Sequence, residues 1–200
     1  MTSYPASYPF DLLATWLAEA EQGELNDPNA LYLATVGSQG QPSLRTLLLK
    51  GLDVRGPVFY TNLTSRKGQE LRAETRAAIL FHWKSLERQV RLEGSVEAVS
   101  QDEADAYFAS RSRGSQIGAH ASLQSQPLDA RATLQARVKE VEAKFHGLDV
   151  PRPSHWSGFR LKARRVEFWQ AGDFRLHERE VLTRDNAHDE TPWTGQFLYP

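Results

Sequence analysis

Residues 87–99 read ERQVRLEGSVEAV, and their alternation is the clearest strand signal in the chain. Small or apolar residues occupy positions 90, 92, 94, 96 and 98, and polar or charged residues occupy 91, 93, 95 and 97. A period of two is typical of a strand that buries one face and exposes the other. The stretch therefore predicts a half-buried β-strand.

Shorter strand and helix patterns surround this strand on both sides. Further strands are predicted at residues 31–36, 44–49, 57–60, 77–83, 156–170, 174–184 and 193–199, with turns at 38–41, 171–173 and 185–191. Helices are predicted at residues 9–22, 65–74, 100–111, from about 114 onward, and at 129–145. Many short strands with few interposed helices favour a mainly β, α+β fold with an antiparallel barrel over a doubly wound sheet.

Length and composition indicate a single globular domain. We expect one domain over residues 1–200, in which 1–28 form an N-terminal helical segment and 155–200 form the closing strands. Lys and Arg number 24 against 25 Asp and Glu, so there is no broad basic field to bind nucleic acid. The N-terminus lacks a secretory pattern, and no apolar run approaches the ~20 residues of a membrane span. We therefore expect a cytoplasmic protein with no membrane partner.

The absence of cysteine limits the chemistry that the chain can perform. Without cysteine there are no disulfides, thiolate nucleophiles or iron–sulfur clusters. The six histidines show no paired spacing that would indicate a metal site, so we expect no metal.

Two segments combine cations with strand or helix signals. Residues 45–50 read RTLLLK, in which Arg45 and Lys50 lie on opposite faces of an ideal strand; cations on an edge strand also serve solubility. Residues 60–67 read YTNLTSRK and lead from a strand into a helix. Hydroxyls, helix N-terminal N–H groups and two cations suit a phosphate, although ordinary helix capping explains the same pattern.

Two later segments also carry polar groups at regular spacing. Tyr107, Arg111 and Ser115 are four residues apart, which predicts one helical face unless Gly114 interrupts it; a solvated surface is an equal alternative. Residues 169–179 read WQAGDFRLHER and predict a hairpin whose second strand directs three basic side chains to one side. These are Arg175, His177 and Arg179. They need an anionic or electron-rich partner, which a bound ligand or a structural carboxylate can supply.

Together and in this order, these segments resemble the pyridoxine/pyridoxamine 5'-phosphate oxidase family over about residues 30–179. The stretches that carry the resemblance are 45–50, 59–62, 65–67, 86–90, 115–119, 124–125, 166–170 and 175–177. Each is weak evidence alone, but their joint order and spacing are specific. The chain departs from the family pattern at Trp156-Ser157-Gly158, at its short N-terminal arm and at its Phe-Leu-Tyr-Pro end.

The resemblance implies an FMN-binding split barrel that works as a homodimer, with FMN at the interface and both subunits contributing to each site. It assigns FMN binding to Arg45, Thr46, Leu47, Leu48, Leu49, Lys50, Tyr60, Thr61, Arg66, Lys67, Gln124 and Ser125. It assigns contacts with the isoalloxazine ring to Gln89, Trp169 and Arg179. It assigns the substrate phosphate to Lys50, Tyr107, Arg111 and Ser115, and the substrate ring and catalysis to Arg175 and His177. Leu176 is included among the substrate-binding residues.

The activity implied by the resemblance is oxidation of pyridoxamine or pyridoxine 5'-phosphate to pyridoxal 5'-phosphate. Oxygen is the acceptor and hydrogen peroxide the second product, a reaction of vitamin B6 biosynthesis and salvage. Two alternatives remain: a related flavin oxidase acting on another aromatic substrate, as in phenazine biosynthesis, and a non-enzymatic carrier of flavin or pyridoxal phosphate. Retention of the phosphate-binding set argues against the first, and retention of Arg175 and His177 argues against the second.

Overall fold

The computed structural model describes residues 1–186 and 190–200, which form ten β-strands and five α-helices. The strands are β1 (Thr2–Tyr4), β2 (Ala30–Val36), β3 (Pro42–Leu48), β4 (Gly51–Asp53), β5 (Gly56–Asn62), β6 (Arg76–Trp83), β7 (Arg88–Ala98), β8 (Trp156–Gln170), β9 (Glu178–Thr183) and β10 (Trp193–Phe197). The helices are α1 (Tyr8–Gly23), α2 (Arg66–Ala73), α3 (Gln101–Ser110), α4 (Arg113–Ala121) and α5 (Arg131–Lys144).

Strand β8 is the centre of the sheet, because both of its edges are paired. One edge pairs with β7 over residues 159–170, and the other pairs with β5 at 156–160 and with β9 at 165–170. The sheet continues as β9–β10–β1 on one side and as β7–β6–β2–β3 on the other, while β4 pairs with β5. All these pairings are antiparallel, as the pattern of short strands predicts.

The alternation in β7 places its apolar face in the main core. Val90, Leu92 and Val96 are buried, while Arg91 is exposed. A bulge shifts the register between Glu93 and Gly94, and a Cβ at position 94 would lie 2.1 Å from the carbonyl oxygen of Lys162. Only glycine permits this approach of the two backbones.

The helices cover the barrel and form a second, smaller core. In α1, Phe10 and Leu13 are buried in the main core, and the Trp16 ring packs edge-on against Phe168 with centroids 5.2 Å apart. Helices α3, α4 and α5 enclose a separate cluster of Phe108, Ile117, Phe145, Val150 and Trp156, with Val138 and Val141 of α5 packed against it. This second core supports the site described below.

Three parts of the sequence interpretation need correction or completion. The predicted strand 174–184 begins only at Glu178, because residues 173–175 form a 3-10 turn in which Phe174 and Arg175 have positive φ angles. The three-residue strands β1 and β4 are too short to produce a pattern and were not predicted. The predicted turn 185–191 includes residues 187–189, which lie outside the described residues.

Candidate active site

A cavity of ≈ 480 Å³ lies where the ends of β3 and β5 meet α3, α4 and the start of β8. It is lined by all four residues predicted to bind the substrate phosphate: Lys50, Tyr107, Arg111 and Ser115. It is also lined by members of the predicted FMN group: Leu47, Leu48, Tyr60, Thr61 and Gln124. Residues from five separate chain segments thus meet in one cavity.

The route by which Arg111 and Ser115 reach this cavity differs from the prediction. Helix α3 ends at Ser110, Arg111 is extended with φ −73° and ψ 150°, and α4 begins at Arg113. The single helical face predicted for Tyr107, Arg111 and Ser115 is therefore wrong. The break occurs because Ser112 precedes α4 in an extended conformation, and it turns Arg111 toward Trp156.

Arg111 is held by an aromatic surface rather than by a carboxylate. Its guanidinium carbon lies 4.8 Å from the centroid of the Trp156 ring and 5.7 Å from that of Phe108. Its Nη1 atom is buried without a hydrogen-bond partner in the described part of the protein. Burial lowers the pKa of Arg111, although Tyr107 opposes this effect. A buried donor without an acceptor is costly, so this site fits an anionic ligand.

Stacked rings form the wall on which Arg111 rests. The three rings of Tyr60, Tyr107 and Trp156 contact one another, with centroid separations of 4.1 Å for Tyr60–Tyr107, 5.1 Å for Tyr60–Trp156 and 6.0 Å for Tyr107–Trp156. Burial, followed by the charge of Glu103, raises the pKa of Tyr60 to about 12, and burial also raises the pKa of Tyr107. Both phenols therefore stay protonated at neutral pH and can donate hydrogen bonds.

A second group of polar atoms lies at the start of α2. The Lys67 ammonium contacts the Thr61 hydroxyl at 3.4 Å and the Gln124 side-chain oxygen at 3.3 Å. Burial, followed by the charge of Arg45, lowers the pKa of Lys67. The residue is 8% exposed and forms no salt bridge within the described residues. A buried cation that faces neutral oxygens fits the phosphate of a bound nucleotide.

Arg45 and Arg66 converge on one buried carboxylate, Glu70. Arg45 Nη2 lies 3.1 Å and Arg66 Nε 2.8 Å from its oxygens, while the hydroxyls of Thr35 and Ser43 donate at 2.5 and 2.8 Å. Burial alone would raise the pKa of Glu70, but these hydrogen bonds outweigh it and lower the pKa to about 2. Glu70 was not among the residues predicted from the sequence. Its position four residues after Arg66, which is the spacing of an ion pair on one helical face, was the sequence feature that indicated it.

The remaining members of segment 45–50 differ in exposure. Thr46 and Lys50 are exposed, Leu47 and Leu48 are half-buried, and Leu49 is buried in the main core. Ser125 follows Gln124 with a positive φ of 71° and is exposed.

The residues predicted to contact the isoalloxazine ring lie in a different cavity, of ≈ 300 Å³. Gln89, Trp169 and Arg179 line it together with Arg91 and Glu167. Arg179 donates to Glu167 at 2.8 and 2.9 Å. Burial opposes ionisation of Glu167, but hydrogen bonds from Arg179 and Arg165 lower its pKa overall. The two cavities share no lining residue.

The predicted catalytic residues lie in the turn between β8 and β9, outside both cavities. Arg175 and Leu176 are exposed, and the His177 ring lies 4.6 Å from that of Trp169. The prediction that Arg175, His177 and Arg179 alternate along one strand is wrong, because only Arg179 is in a strand. The register pairs Gln170 with Glu178, and this closes residues 171–177 into a loop.

Comparison with known proteins gives consistent matches over almost the whole chain. Residues 17–145 match the family model described as pyridoxamine 5'-phosphate oxidase, and residues 156–200 match the pyridoxine 5'-phosphate oxidase C-terminal dimerisation region. The chain belongs to the pyridoxamine 5'-phosphate oxidase family. The family predicted from the sequence is thereby confirmed.

Individual relatives agree with this assignment to the oxidase family. The pyridoxine/pyridoxamine 5'-phosphate oxidase of Gluconobacter oxydans (strain 621H) is 57% identical over 96% of this chain and 94% of that protein. The protein of the same name from Sphingopyxis alaskensis is 55% identical over 100% of this chain and 91% of its own length.

Solved structures confirm the predicted α+β split barrel. PhzG from Burkholderia lata 383, in complex with tetrahydrophenazine-1-carboxylic acid, superposes with a TM-score of 0.88 at 35% identity, covering 96% of this chain and 92% of that one. A pyridoxamine 5'-phosphate oxidase-related, FMN binding protein from Nostoc punctiforme has a TM-score of 0.74 at 18% identity, covering 95% and 96%, which supports the fold alone. Among the described residues, no helix is long and apolar enough to span a membrane.

Proposed function

We propose that this protein oxidises pyridoxamine 5'-phosphate and pyridoxine 5'-phosphate to pyridoxal 5'-phosphate in the cytoplasm, with oxygen as acceptor and hydrogen peroxide as product. The observation that carries the proposal is Arg111, a half-buried residue whose Nη1 atom is buried and has no hydrogen-bond partner among the described residues, in a cavity shared with Lys50, Tyr107 and Ser115. Two cations and two hydroxyls match the charge and acceptors of a phosphate dianion. The relatives of 55–57% identity carry the name of this activity.

We assign FMN as the cofactor, because the donor set at the start of α2 fits its phosphate. Lys67, Thr61 and Gln124 would hold the phosphate and ribityl end, supported by Arg45, Arg66 and Ser125. Gln89, Trp169 and Arg179 would contact the isoalloxazine ring. FMN held by these residues would supply the redox chemistry, namely two-electron oxidation at the C4' carbon of the substrate with oxygen as the final acceptor.

The protein's own contribution is to position the substrate. The phosphate held by Lys50, Tyr107, Arg111 and Ser115 is remote from the reacting carbon, so its binding energy fixes the pyridine ring without taking part in the reaction. Arg175, Leu176 and His177 would then contact the ring near that carbon. The protein needs no strong general base if the amine substrate binds already deprotonated.

The separation of the two cavities supports a homodimeric site. Within one chain, the phosphate-binding cavity shares no residue with the cavity of Trp169 and Arg179 or with the turn of Arg175 and His177. A second chain, packed through the region that matches a dimerisation domain, can bring these residues together in one site. We therefore propose a homodimer with FMN at its interface, in which each site takes the cavity of one subunit and the 171–177 turn of the other.

The structural similarity to PhzG raises the alternative of a phenazine-type substrate. That neighbour is 35% identical, whereas the relatives named for the vitamin B6 oxidase reach 57%. A carboxylate such as that of tetrahydrophenazine-1-carboxylic acid also offers acceptors to Arg111 Nη1, so this donor alone does not separate the two substrates. The combination of two cations, Lys50 and Arg111, with the hydroxyls of Tyr107 and Ser115 favours the greater charge and larger number of acceptors of a phosphate dianion.

Purified protein incubated with pyridoxamine 5'-phosphate tests the proposal. We expect one hydrogen peroxide and one ammonia for each pyridoxal 5'-phosphate formed, since water supplies the aldehyde oxygen. Flavin released by heat should co-migrate with FMN and not with FAD or riboflavin. Protein that stays colourless after incubation with FMN, or that forms no peroxide with either phosphorylated substrate, would refute the proposal.

A further inference from the structure

The turn between β8 and β9 is closed by a hydrogen bond to a side chain that is assigned to catalysis. The backbone N–H of Gly172 donates to Nδ1 of His177 at 3.2 Å. The N–H of Leu176 donates to the carbonyl oxygen of Asp173 at 3.0 Å. The turn therefore holds the imidazole of His177 next to the backbone of Gly172.

The backbone of this turn is tightly constrained. Phe174 and Arg175 have φ angles of 56° and 67°, which large L-residues rarely adopt. A Cβ at Gly172 would lie 2.2 Å from the carbonyl oxygen of Leu176, so a side chain cannot be added without moving the turn. Unfavourable backbone angles persist where surrounding contacts require them, and they commonly occur at functional sites.

The hydrogen bond from Gly172 determines the tautomer of His177. Two N–H groups cannot hydrogen-bond to each other, so Nδ1 must present its lone pair to the Gly172 N–H. In a neutral imidazole the proton then resides on Nε2. Among the described residues Nε2 has no hydrogen-bond partner, and the Trp169 ring at 4.6 Å restricts the plane of the imidazole.

We propose that Gly172 is a positioning residue that fixes His177 as the Nε2–H tautomer, so that His177 donates a hydrogen bond to a substrate oxygen and does not accept the substrate's proton. This inference rests on the proposed function, in which His177 contacts the pyridine ring. It assigns His177 a direction of hydrogen bonding that its residue type alone leaves open. It also identifies Gly172, which has no side chain, as a determinant of the site.

Nitrogen NMR on the flavin-containing protein measures the tautomer without measuring activity. We expect long-range proton–nitrogen spectra to show Nδ1 of His177 as the unprotonated ring nitrogen and Nε2 as the protonated one, with signals assigned by their loss in His177→Gln. The reverse assignment would overturn the proposal, even in a protein that oxidises the substrate normally. If the wild type does not oxidise the substrate, the proposed function fails while the tautomer can still be measured.

Substitutions at His177 separate a donor from a base. In His177→Gln the side-chain amide N–H can replace the Nε2–H donor, but the amide cannot accept a proton as a base. We therefore expect kcat/KM of His177→Gln to stay within about tenfold of wild type, while His177→Ala falls about 100-fold or more. Equal losses in the two variants, at equal flavin content, would show that His177 is not acting as a donor.

Gly172→Ala tests the positioning role directly. The added Cβ should displace the turn, break the bond to Nδ1 and let both tautomers of His177 appear in the spectra. At unchanged flavin content, kcat/KM should fall toward the His177→Ala value. A single unchanged tautomer with unchanged kcat/KM would overturn the role of Gly172. If this variant fails to fold, the wild-type spectrum and the comparison of Gln with Ala still decide the proposal.

Discussion

Arg111 is the residue whose surroundings say most about the substrate. Its guanidinium lies over Trp156, and its Nη1 atom is buried with no hydrogen-bond partner in the described part of the chain, so the cost of removing that N–H group from water is already present before a ligand binds. A ligand that offers an acceptor at this point gains the hydrogen bond without the usual desolvation of the donor. Arg111 should therefore discriminate strongly between substrates with and without a phosphate.

Replacing Arg111 should affect the phosphorylated substrate selectively. We expect Arg111→Ala to raise KM for pyridoxamine 5'-phosphate about 10- to 100-fold, because one charge-assisted contact is lost. Arg111→Lys should restore only part of the loss, since an ammonium cannot form a fork or lie flat on Trp156. Turnover of unphosphorylated pyridoxamine should be low in wild type and almost unchanged in Arg111→Ala. The measurement is steady-state kinetics at saturating FMN.

Arg113→Ala provides a matched control for this experiment. Arg113 is exposed and donates to the carbonyl oxygens of Phe145 and Leu148, so it ties α4 to the end of α5 without lining the cavity. Its loss should lower the melting temperature slightly and leave KM unchanged. If Arg111→Ala impairs both substrates equally, Arg111 has a structural role and the phosphate binds elsewhere.

The sequence predicted the side chains that line the cavity, but it did not predict the buried carboxylate that holds Arg45 and Arg66. Lys50, Tyr107, Arg111 and Ser115 were all predicted, and they do share a cavity. Glu70 was not predicted, because its partners Thr35 and Ser43 come from strands far away in sequence. A buried carboxylate of this kind is specified by tertiary packing, which a local pattern does not contain.

Among the elements, α2 connects the fold to the predicted cofactor site. Its N-cap Ser65 accepts a hydrogen bond from the N–H of Gly68 and donates to the carbonyl oxygen of Asn62, and its first turn carries Arg66 and Lys67. Loss of the cap should loosen that turn and move Lys67. We therefore expect Ser65 to influence FMN binding through the position of Lys67.

We expect Ser65→Ala to lower the free energy of unfolding by about 1 kcal/mol and to raise the dissociation constant for FMN several-fold. The matched control is Ser100→Ala, because Ser100 caps α3 through the N–H of Glu103 in the same way but makes no hydrogen bond, among the described residues, to Lys67, Thr61 or Gln124. It should lose similar stability and keep its FMN affinity. Denaturation and flavin fluorescence titration measure the two quantities. An equal loss of FMN affinity in both variants would contradict the role of α2.

Helices and strands with a clear periodic or capping pattern were predicted close to their observed bounds. The strand predicted at residues 174–184 was not. The bounds of β8 agree with the prediction, and the helix predicted to start at residue 100 begins at Gln101 with Ser100 as its N-cap. The strand predicted at 174–184 starts four residues late, because alternation at Phe174, Arg175, Leu176 and His177 imitates a strand. Only the pairing of Gln170 with Glu178 shows that these residues form a turn.

For the whole molecule, the decisive question is whether one chain contains a complete site. Residues 156–200 match a dimerisation region, and they include Trp169, Arg175, His177 and Arg179. The cavity that contains Arg111 is lined by the earlier part of the chain together with Trp156, the first residue of the matched dimerisation region. In a twofold dimer, each of two equivalent sites would take one part from each subunit.

Subunit complementation distinguishes a shared site from a site within one chain. Arg111→Ala and Arg175→Met should each be nearly inactive as homodimers at low substrate concentration. Co-expressed with different tags and purified through both, the heterodimer should regain about half of the wild-type activity. One of its sites combines both substitutions, and the other combines neither. The control heterodimer pairs Arg111→Ala with Lys50→Ala, which alter the same cavity, so each of its sites retains one defect and stays inactive. A test heterodimer that retains two bound FMN but regains no activity would contradict the shared site. Activity regained in the control heterodimer but not in the test heterodimer would also contradict it.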